Sequence, residues 1–241
     1  MRQLLPTTNA DPLDIDDLAA AYAIGDHSMR VNFVASADGA ARLDGRSGGL
    51  GTAGDRRILG LLRDLCDVVL VGAGTARVEG YGPPPSTPEK VARRTALGLA
   101  PRPRLAVVSS RLDLDPAGPL FGDGPPTIVL THGNADAAQR RALSAVADVV
   151  VAGESTVDLS IARDTLADMG LTRVLSEGGP RLAGDLLAAG LLDELCLTVS
   201  PMLVGGETGR IIERAAAHRI PLDLRHVLEE DGALFLRYAI G

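Results

Sequence analysis

The chain has 241 residues and a mass of 25.0 kDa. With 46% hydrophobic and 23% charged residues and a mean hydropathy of +0.15, it reads as a folded globular protein and not as a disordered one. Lys+Arg 24 against Asp+Glu 31 gives a net charge of -7, which argues against a nucleic-acid partner, because phosphate neutralisation needs clustered cations.

Other classes fall with single residue types. Aromatic residues are 2% of the chain and Trp is missing, so there is little on which to stack bases. Lys90 is the only lysine and lies in no GxxxxGK[ST] loop; a Schiff-base mechanism would have to use it. Cys66 and Cys196 have no CxxC partner, so no disulfide framework and no metal site is expected. The N-terminal MRQLLPTTNADPLDIDD has no apolar signal core. No run of about 18 apolar residues exists to span a membrane, so the expected compartment is the cytoplasm.

In chain order, residues 1–28 read as an acidic arm with a short helix near Ile15–Ile24, N-capped by Asp14. Arg30–Ser36 is a predicted strand, followed by the Asp38-Gly39 turn. Gly45–Gly54 is too Gly-rich for an element interior. Arg56–Leu65 has helical spacing, and Asp67–Val71 is a buried strand. Gly72–Pro88 reads as a loop.

The second half alternates: strands at Leu105–Ser109 and Thr127–Thr131, a helix at Ala135–Val146, and a strand at Asp148–Val151. A helix at Ser160–Met169, a strand at Arg173–Ser176, a helix at Pro180–Ala189 and a strand at Leu195–Val199 follow. This alternation predicts an α/β fold with a mainly parallel sheet and helices on both faces. Leu222–Glu229, Asp231-Gly232 and Ala233–Ile240 spell a terminal antiparallel hairpin. With no linker, residues 29–241 are expected to form one domain.

Four places carry candidate chemistry. In VLVGAGTARVEG a strand runs into Gly72-Ala73-Gly74-Thr75, where backbone amides approach a phosphate closely. The GxGxxG fingerprint fails, because Arg77 stands where its third Gly belongs. In RVLSEGGPRLAG a strand ends at Glu177-Gly178-Gly179-Pro180 and a helix begins at once, offering unpaired amides to an anion. Glu177 falls at the carboxyl end of a strand, where open α/β sheets place ligands. Asn32, Ser36 and Asp38 surround the first turn, which on residues alone reads first as a plain Asp-Gly turn. Gly45-Arg46-Ser47-Gly48-Gly49 satisfies G-x-S-x-G, with His218 and His226 as conceivable bases, but lacks the strand and helix of a nucleophile elbow. A zinc deaminase is excluded by the missing H-x-E…P-C-x-x-C signature.

Together VNFVASADG, LRDLCDVVLVGAGTARVEG and SEGGPRLAGDLLAAGLLDELCLTVSPMLVGG resemble the pyrimidine reductase family, the reductase domain of riboflavin biosynthesis. The resemblance spans roughly residues 29–241. It implies a dihydrofolate-reductase-like fold without the deaminase domain often fused to this reductase. It also implies an NADPH-dependent enzyme, usually a homodimer, that reduces the ribosyl group of a 5-phosphoribosylamino pyrimidine to ribityl. By the same resemblance Ala35, Leu50, Thr75, Glu79 and Ser110 are cofactor positions, beside Gly72 and Gly74, which the glycine turn itself nominates. Gly178, Gly179, Pro180, Arg181, Leu182, Ala183 and Gly184 form the helix start that holds the cofactor diphosphate. By the resemblance Arg63 and Glu177 are substrate positions; Asn32, from the first-turn reading, is a further substrate candidate, and Glu177 and Asp38 are the catalytic candidates.

The chain departs from the family at Ala40, where a Lys or Arg usually follows Asp-Gly, and at Glu79-Gly80-Tyr81, where Asp-Asn-Pro is usual. The lost cation weakens the expected grip on a substrate phosphate. The expected chemistry is direct hydride transfer to an imine-like carbon. Arg46, Arg77 and Arg181 are alternative clamps for a cofactor 2′-phosphate. A dihydropterin reductase on the same fold and a non-catalytic NADP-binding protein remain as alternatives. The apolar segment Leu191–Val204 is a candidate dimer interface.

Overall fold

The computed structural model describes residues 1–6, 12–214 and 219–241. The strands are β1 (Arg2–Leu5), β2 (Met29–Ser36), β3 (Val68–Gly72), β4 (Arg104–Val108), β5 (Thr127–Thr131), β6 (Ala147–Val151), β7 (Val174–Ser176), β8 (Glu194–Ser200), β9 (Leu222–Glu230) and β10 (Ala233–Ile240). The helices are α1 (Ile15–Ala21), α2 (Ala53–Asp64), α3 (Ala73–Glu79), α4 (Pro88–Ala96), α5 (Ala137–Leu143), α6 (Leu159–Asp168) and α7 (Pro180–Ala188).

All ten strands join one sheet in the order β1-β9-β10-β8-β2-β7-β3-β4-β5-β6. From β8 to β6 every neighbour pair is parallel, while β10 on β8, β9 on β10 and β1 on β9 are antiparallel. This is the α/β sheet with a terminal antiparallel hairpin that the sequence predicts. The period of two along β3 divides the core. Val69 and Val71 pack with Ile58 and Leu62 of α2 and Leu18 of α1 on one face. Val68 and Leu70 pack with Leu166 of α6 and with Leu182 and Leu186 of α7 on the other.

Three expectations need correction. The Gly72–Pro88 loop contains a helix: α3 buries Ala76 and stops at Gly80, whose φ of 69° is a left-handed C-cap. Pro88 opens α4, with the Thr87 side chain accepting from Lys90 N; Thr followed by Pro was the missed start signal. The N-terminal arm contributes an edge strand, β1, paired with β9. Its helix is as expected, closed by a capping box between Asp14 and Asp17.

The segment Leu191–Val204 is mostly internal. β8 lies between β10 and β2, Leu191 and Leu192 are buried, and only Leu203 stands out, at 80% exposure.

A charged cluster underlies β9 and β10. Arg30 and Arg237 both pair with Glu194, and His226 meets the Tyr22 ring edge-on at 4.5 Å. Burial first, and the two arginines next, lower the His226 pKa from 6.5 to about 4. The unfolded chain therefore takes up this proton before the fold does. The His226 contribution to stability is expected to fall as pH drops from about 6.5 to about 4 and to level off below that. Denaturant titrations across this range check it, and His226→Gln flattens the slope.

Candidate active site

The carboxyl ends of β2, β7, β3 and β4 reach the same edge of the sheet, and a cleft of about 720 Å³ opens there. It is the position where open α/β sheets bind ligands. β3 and β7 are direct neighbours, so the turns that follow them lie side by side. Gly72 N donates to Gly178 O at 2.9 Å, and Gly179 N donates to Thr75 Oγ1 at 3.1 Å.

The glycines are required by space. A Cβ on Gly179 would lie 2.3 Å from Thr75 Oγ1. A Cβ on Gly178, which has φ +86° and precedes a cis peptide bond, would lie 3.0 Å from the Phe33 ring. Gly179 is the N-cap of α7 and carries no side-chain cap, so the first amides of that helix remain available to an anion. The two glycine turns thus share one cleft.

Glu177 sits between these turns, its side chain 3% exposed. Arg63 on α2 forks onto it, Nε to Oε1 at 2.6 Å and Nη2 to Oε2 at 2.5 Å. Tyr81 Oη donates to Oε2 at 2.8 Å. Burial opposes the Arg63 charge, but the paired carboxylate outweighs it and raises the guanidinium pKa above its ordinary range. Burial, and then the Glu177 charge, push the Tyr81 phenol well up. Nearby, burial raises the Asp55 carboxyl in the cleft wall, against the opposing pull of Thr198 and Arg56.

The cleft lining brings together Asn32, Gly72, Gly74, Thr75, Glu79 and Ser110 with Glu177, Gly179, Pro180, Arg181 and Leu182. Other expected residues fall elsewhere. Arg63 stands behind Glu177 and acts on it, because the guanidinium fork is already occupied. Asp38 lies outside the lining and accepts the amides of Val204 and Gly205 and the Ser36 hydroxyl; these bonds lower its pKa to about 2. Ala35 and Leu50 are buried beneath the cleft, and the Leu50 carbonyl accepts from Ser200 Oγ. Gly178 backs the lining through its bond to Gly72, while Ala183 and Gly184 are buried in α7.

Glu79 holds the Gly45–Gly49 loop: its Oε1 accepts from Ser47 N at 2.9 Å and Ser47 Oγ at 3.1 Å. Ser47 is therefore held by the Glu79 carboxylate, and neither candidate histidine is placed beside it. His226 stacks on Tyr22 away from the cleft, and His218 lies outside the described residues. Lys90 faces Asp64 at 3.9 Å, away from the lining. Arg46 does not line the cleft, whereas Arg77 and Arg181 do, next to Arg111 and Ser109. Arg77 is tied to Asp113 and Arg181 to Glu213.

Motif reading missed Arg42 and Arg56, which line the cleft; among the described residues neither forms a direct ion pair, though Arg56 acts on the neighbouring Asp55 carboxyl. It also missed the role of Tyr81. Arg42 lies two residues past the Ala40 departure, a signal that would have found it.

An open α/β sheet whose cleft opens at the carboxyl ends of its central parallel strands has the ligand-binding layout of an α/β enzyme, and its fold is that of a pyrimidine reductase-like protein. Residues 27–231 match the family described as the RibD C-terminal domain, and the chain belongs to that family. It is an oxidoreductase of the riboflavin-biosynthesis reductase type. A 2,5-diamino-6-ribosylamino-4(3H)-pyrimidinone 5′-phosphate reductase of Methanothermobacter thermautotrophicus is 29% identical over 214 residues, covering 86% of this chain and 92% of the relative. Riboflavin biosynthesis protein RibD of Mycobacterium tuberculosis is 30% identical over 176 residues, covering 72% of this chain and 42% of that longer protein. The crystal structure of a pyrimidine reductase-like protein from Corynebacterium diphtheriae superposes with a TM-score of 0.81 at 30% identity, covering 89% of this chain and 92% of that one. Among the described residues no helix is long and apolar enough to cross a membrane.

Proposed function

We propose that this chain is an NADPH-dependent reductase that converts the ribosylamino group of a pyrimidine 5′-phosphate to ribitylamino. The observation that carries this reading is the shared cleft, in which Gly74 and Gly179 stand beside the Glu177 carboxylate. The fit to a dinucleotide rests on the chain itself. The free amides at the start of α7 suit a diphosphate, and the Gly179 position has no room for a side chain that would block it. Ser109, Ser110 and Arg111 at the β4 end suit a 2′-phosphate, with Arg77 and Arg181 lining the same cleft.

A reduced nicotinamide bound there would supply the hydride. The protein's part is to bring the open-chain imine of the substrate alongside, so that the hydride reaches its carbon. The C–N π pair then takes a proton from solvent at nitrogen. Glu177 orients the heterocycle by accepting an N–H. Arg42 and Arg56 stand at the β2 end and take the substrate phosphate, replacing the cation missing at Ala40. A dihydropterin presents a forked pair of N–H donors, and Arg63 already lies along the matching edge of Glu177, which disfavours that alternative.

Titrating NADPH and NADH by nicotinamide fluorescence tests the cofactor preference. Arg77→Ala and Arg181→Ala are each expected to weaken NADPH binding by about tenfold and to leave NADH unchanged, the loss of one charge-assisted bond. Equal affinities for the two nucleotides contradict the preference. Tight NADPH binding without substrate-dependent oxidation identifies a non-catalytic binder. The proposal includes a cytoplasmic homodimer, whose contact we place around Leu203.

A further inference from the structure

Four carboxylates line the cleft: Asp55, Glu79, Asp113 and Glu177. Three are engaged by the chain. Arg63 and Tyr81 donate to Glu177, Arg77 pairs with Asp113, and Glu79 accepts from Ser47. Asp55 forms no ion pair among the described residues, although it is only 8% exposed. Burial raises its carboxyl, and the Thr198 hydroxyl and the Arg56 charge only partly oppose that. A carboxyl taken out of water without a cation gains from donors that a ligand brings.

Its place in the cleft says which donors. Asp55, Leu59 and Arg63 recur at four-residue intervals and form one stripe of α2, about 12 Å long. Arg63 reaches Glu177 at one end of the stripe, and Asp55 stands at the other, beside Arg56. The sheet follows the same line. Val31 pairs with Ser176, so Asn32 and Glu177 follow at the same level; Val34, two residues on, pairs with Thr198. Asn32, Val34 and Leu59 all line the cleft. A ligand with its heterocycle at Glu177 and its phosphate at Arg42 and Arg56 therefore lays its sugar along Asp55. Gly51 keeps one side of that carboxyl clear: a Cβ there would lie 3.1 Å from Asp55 Oδ2.

We propose that Asp55 is a specificity-determining residue: it accepts the two adjacent hydroxyls of the substrate sugar and so makes the enzyme select ribosyl over 2-deoxyribosyl substrates. This rests on the reductase reading given above. Hydroxyls on neighbouring carbons present two donors side by side, and the two oxygens of a carboxylate accept them as a pair. A 2-deoxy sugar leaves one of those oxygens without a donor in a buried site, and that is the source of the discrimination. Both hydroxyls persist when the sugar ring opens, so the same grip holds the reacting carbon in place up to hydride transfer.

The test is kcat/KM with NADPH for a ribosylaminopyrimidine 5′-phosphate and its 2-deoxyribosyl counterpart, on the wild type and on Asp55→Ala. The ratio of ribosyl to 2-deoxyribosyl is expected to fall by about 10- to 100-fold in Asp55→Ala, the weight of one hydrogen bond to a charged group. The intrinsic reactivities of the two sugars are common to both proteins, and both substrates are measured on one preparation, so reactivity and folded fraction cancel from the comparison. A ratio that stays unchanged or rises overturns the proposal, because a purely structural residue lowers both rates together. Asp55→Asn, of nearly equal volume, makes the same comparison if the alanine variant does not fold; its single acceptor oxygen gives a smaller fall, and no fall overturns the proposal. If neither sugar phosphate oxidises NADPH with the wild type, the reductase reading fails and this proposal with it, an outcome distinct from an unchanged ratio.

Discussion

Glu177→Ala is expected to lower turnover by at least about 10²-fold while NADPH affinity changes by less than about threefold, because a positioned acid–base or electrostatic group contributes on that scale. Among the described residues the carboxylate sits between the two glycine turns with its side chain almost fully buried. Its removal takes away the acceptor that orients the heterocycle and leaves the α7 amides untouched. It also leaves Arg63 without its partner. Breaking a buried pair costs about 3–5 kcal/mol, so the variant unfolds at a lower temperature and its kinetics belong well below that point. Glu177→Gln keeps the volume and one acceptor oxygen, and its turnover falls between alanine and wild type. Wild-type turnover in the alanine variant removes Glu177 from the chemistry.

The parallel core and the terminal hairpin are legible in the sequence because their patterns are local. DVVLV and TIVLT are continuous apolar runs, and Asp231-Gly232 joins two alternating segments. α3 is hidden because Gly74 within it and Gly72 and Gly80 at its ends read as loop. What makes it a helix is the burial of Ala76 against the β3 face, a tertiary effect that no local pattern carries. β1 is four residues long and gains its hydrogen bonds from β9, more than 200 positions away in the chain.

The site divides in the same way. The glycine turns and Glu177 are visible because strand ends and helix starts have sequence signals. Arg63 and Asp38 are visible as residue types, but their partners are not. Asp38 meets amides of the Val204-Gly205 turn, and Arg63 meets Glu177, both contacts across the fold. Tyr81 shows the reverse case. It looks like a departure from a motif, and only the returning path after Gly80 brings its hydroxyl to Glu177.

Gly179→Ala is expected to weaken NADPH binding by about 10- to 100-fold, and to cost about 1–3 kcal/mol of stability, the usual range for forcing an atom into a packed site. The added Cβ would lie 2.3 Å from Thr75 Oγ1, so one of the two must move. Thr75 is β-branched and sits in α3, which restricts its rotation. Moving it breaks the bond from Gly179 N to Thr75 Oγ1, the direct link between the two turns. The turn then shifts the first amides of α7 off the diphosphate. A second change, Thr75→Ala, removes the clash; the double variant regains stability but not affinity, because the linking bond is still missing. The non-additivity of the two changes in stability is the signature of contact between them. A Gly179→Ala protein that binds NADPH like the wild type shows that these amides do not hold the cofactor, and the assignment of the cleft falls with them.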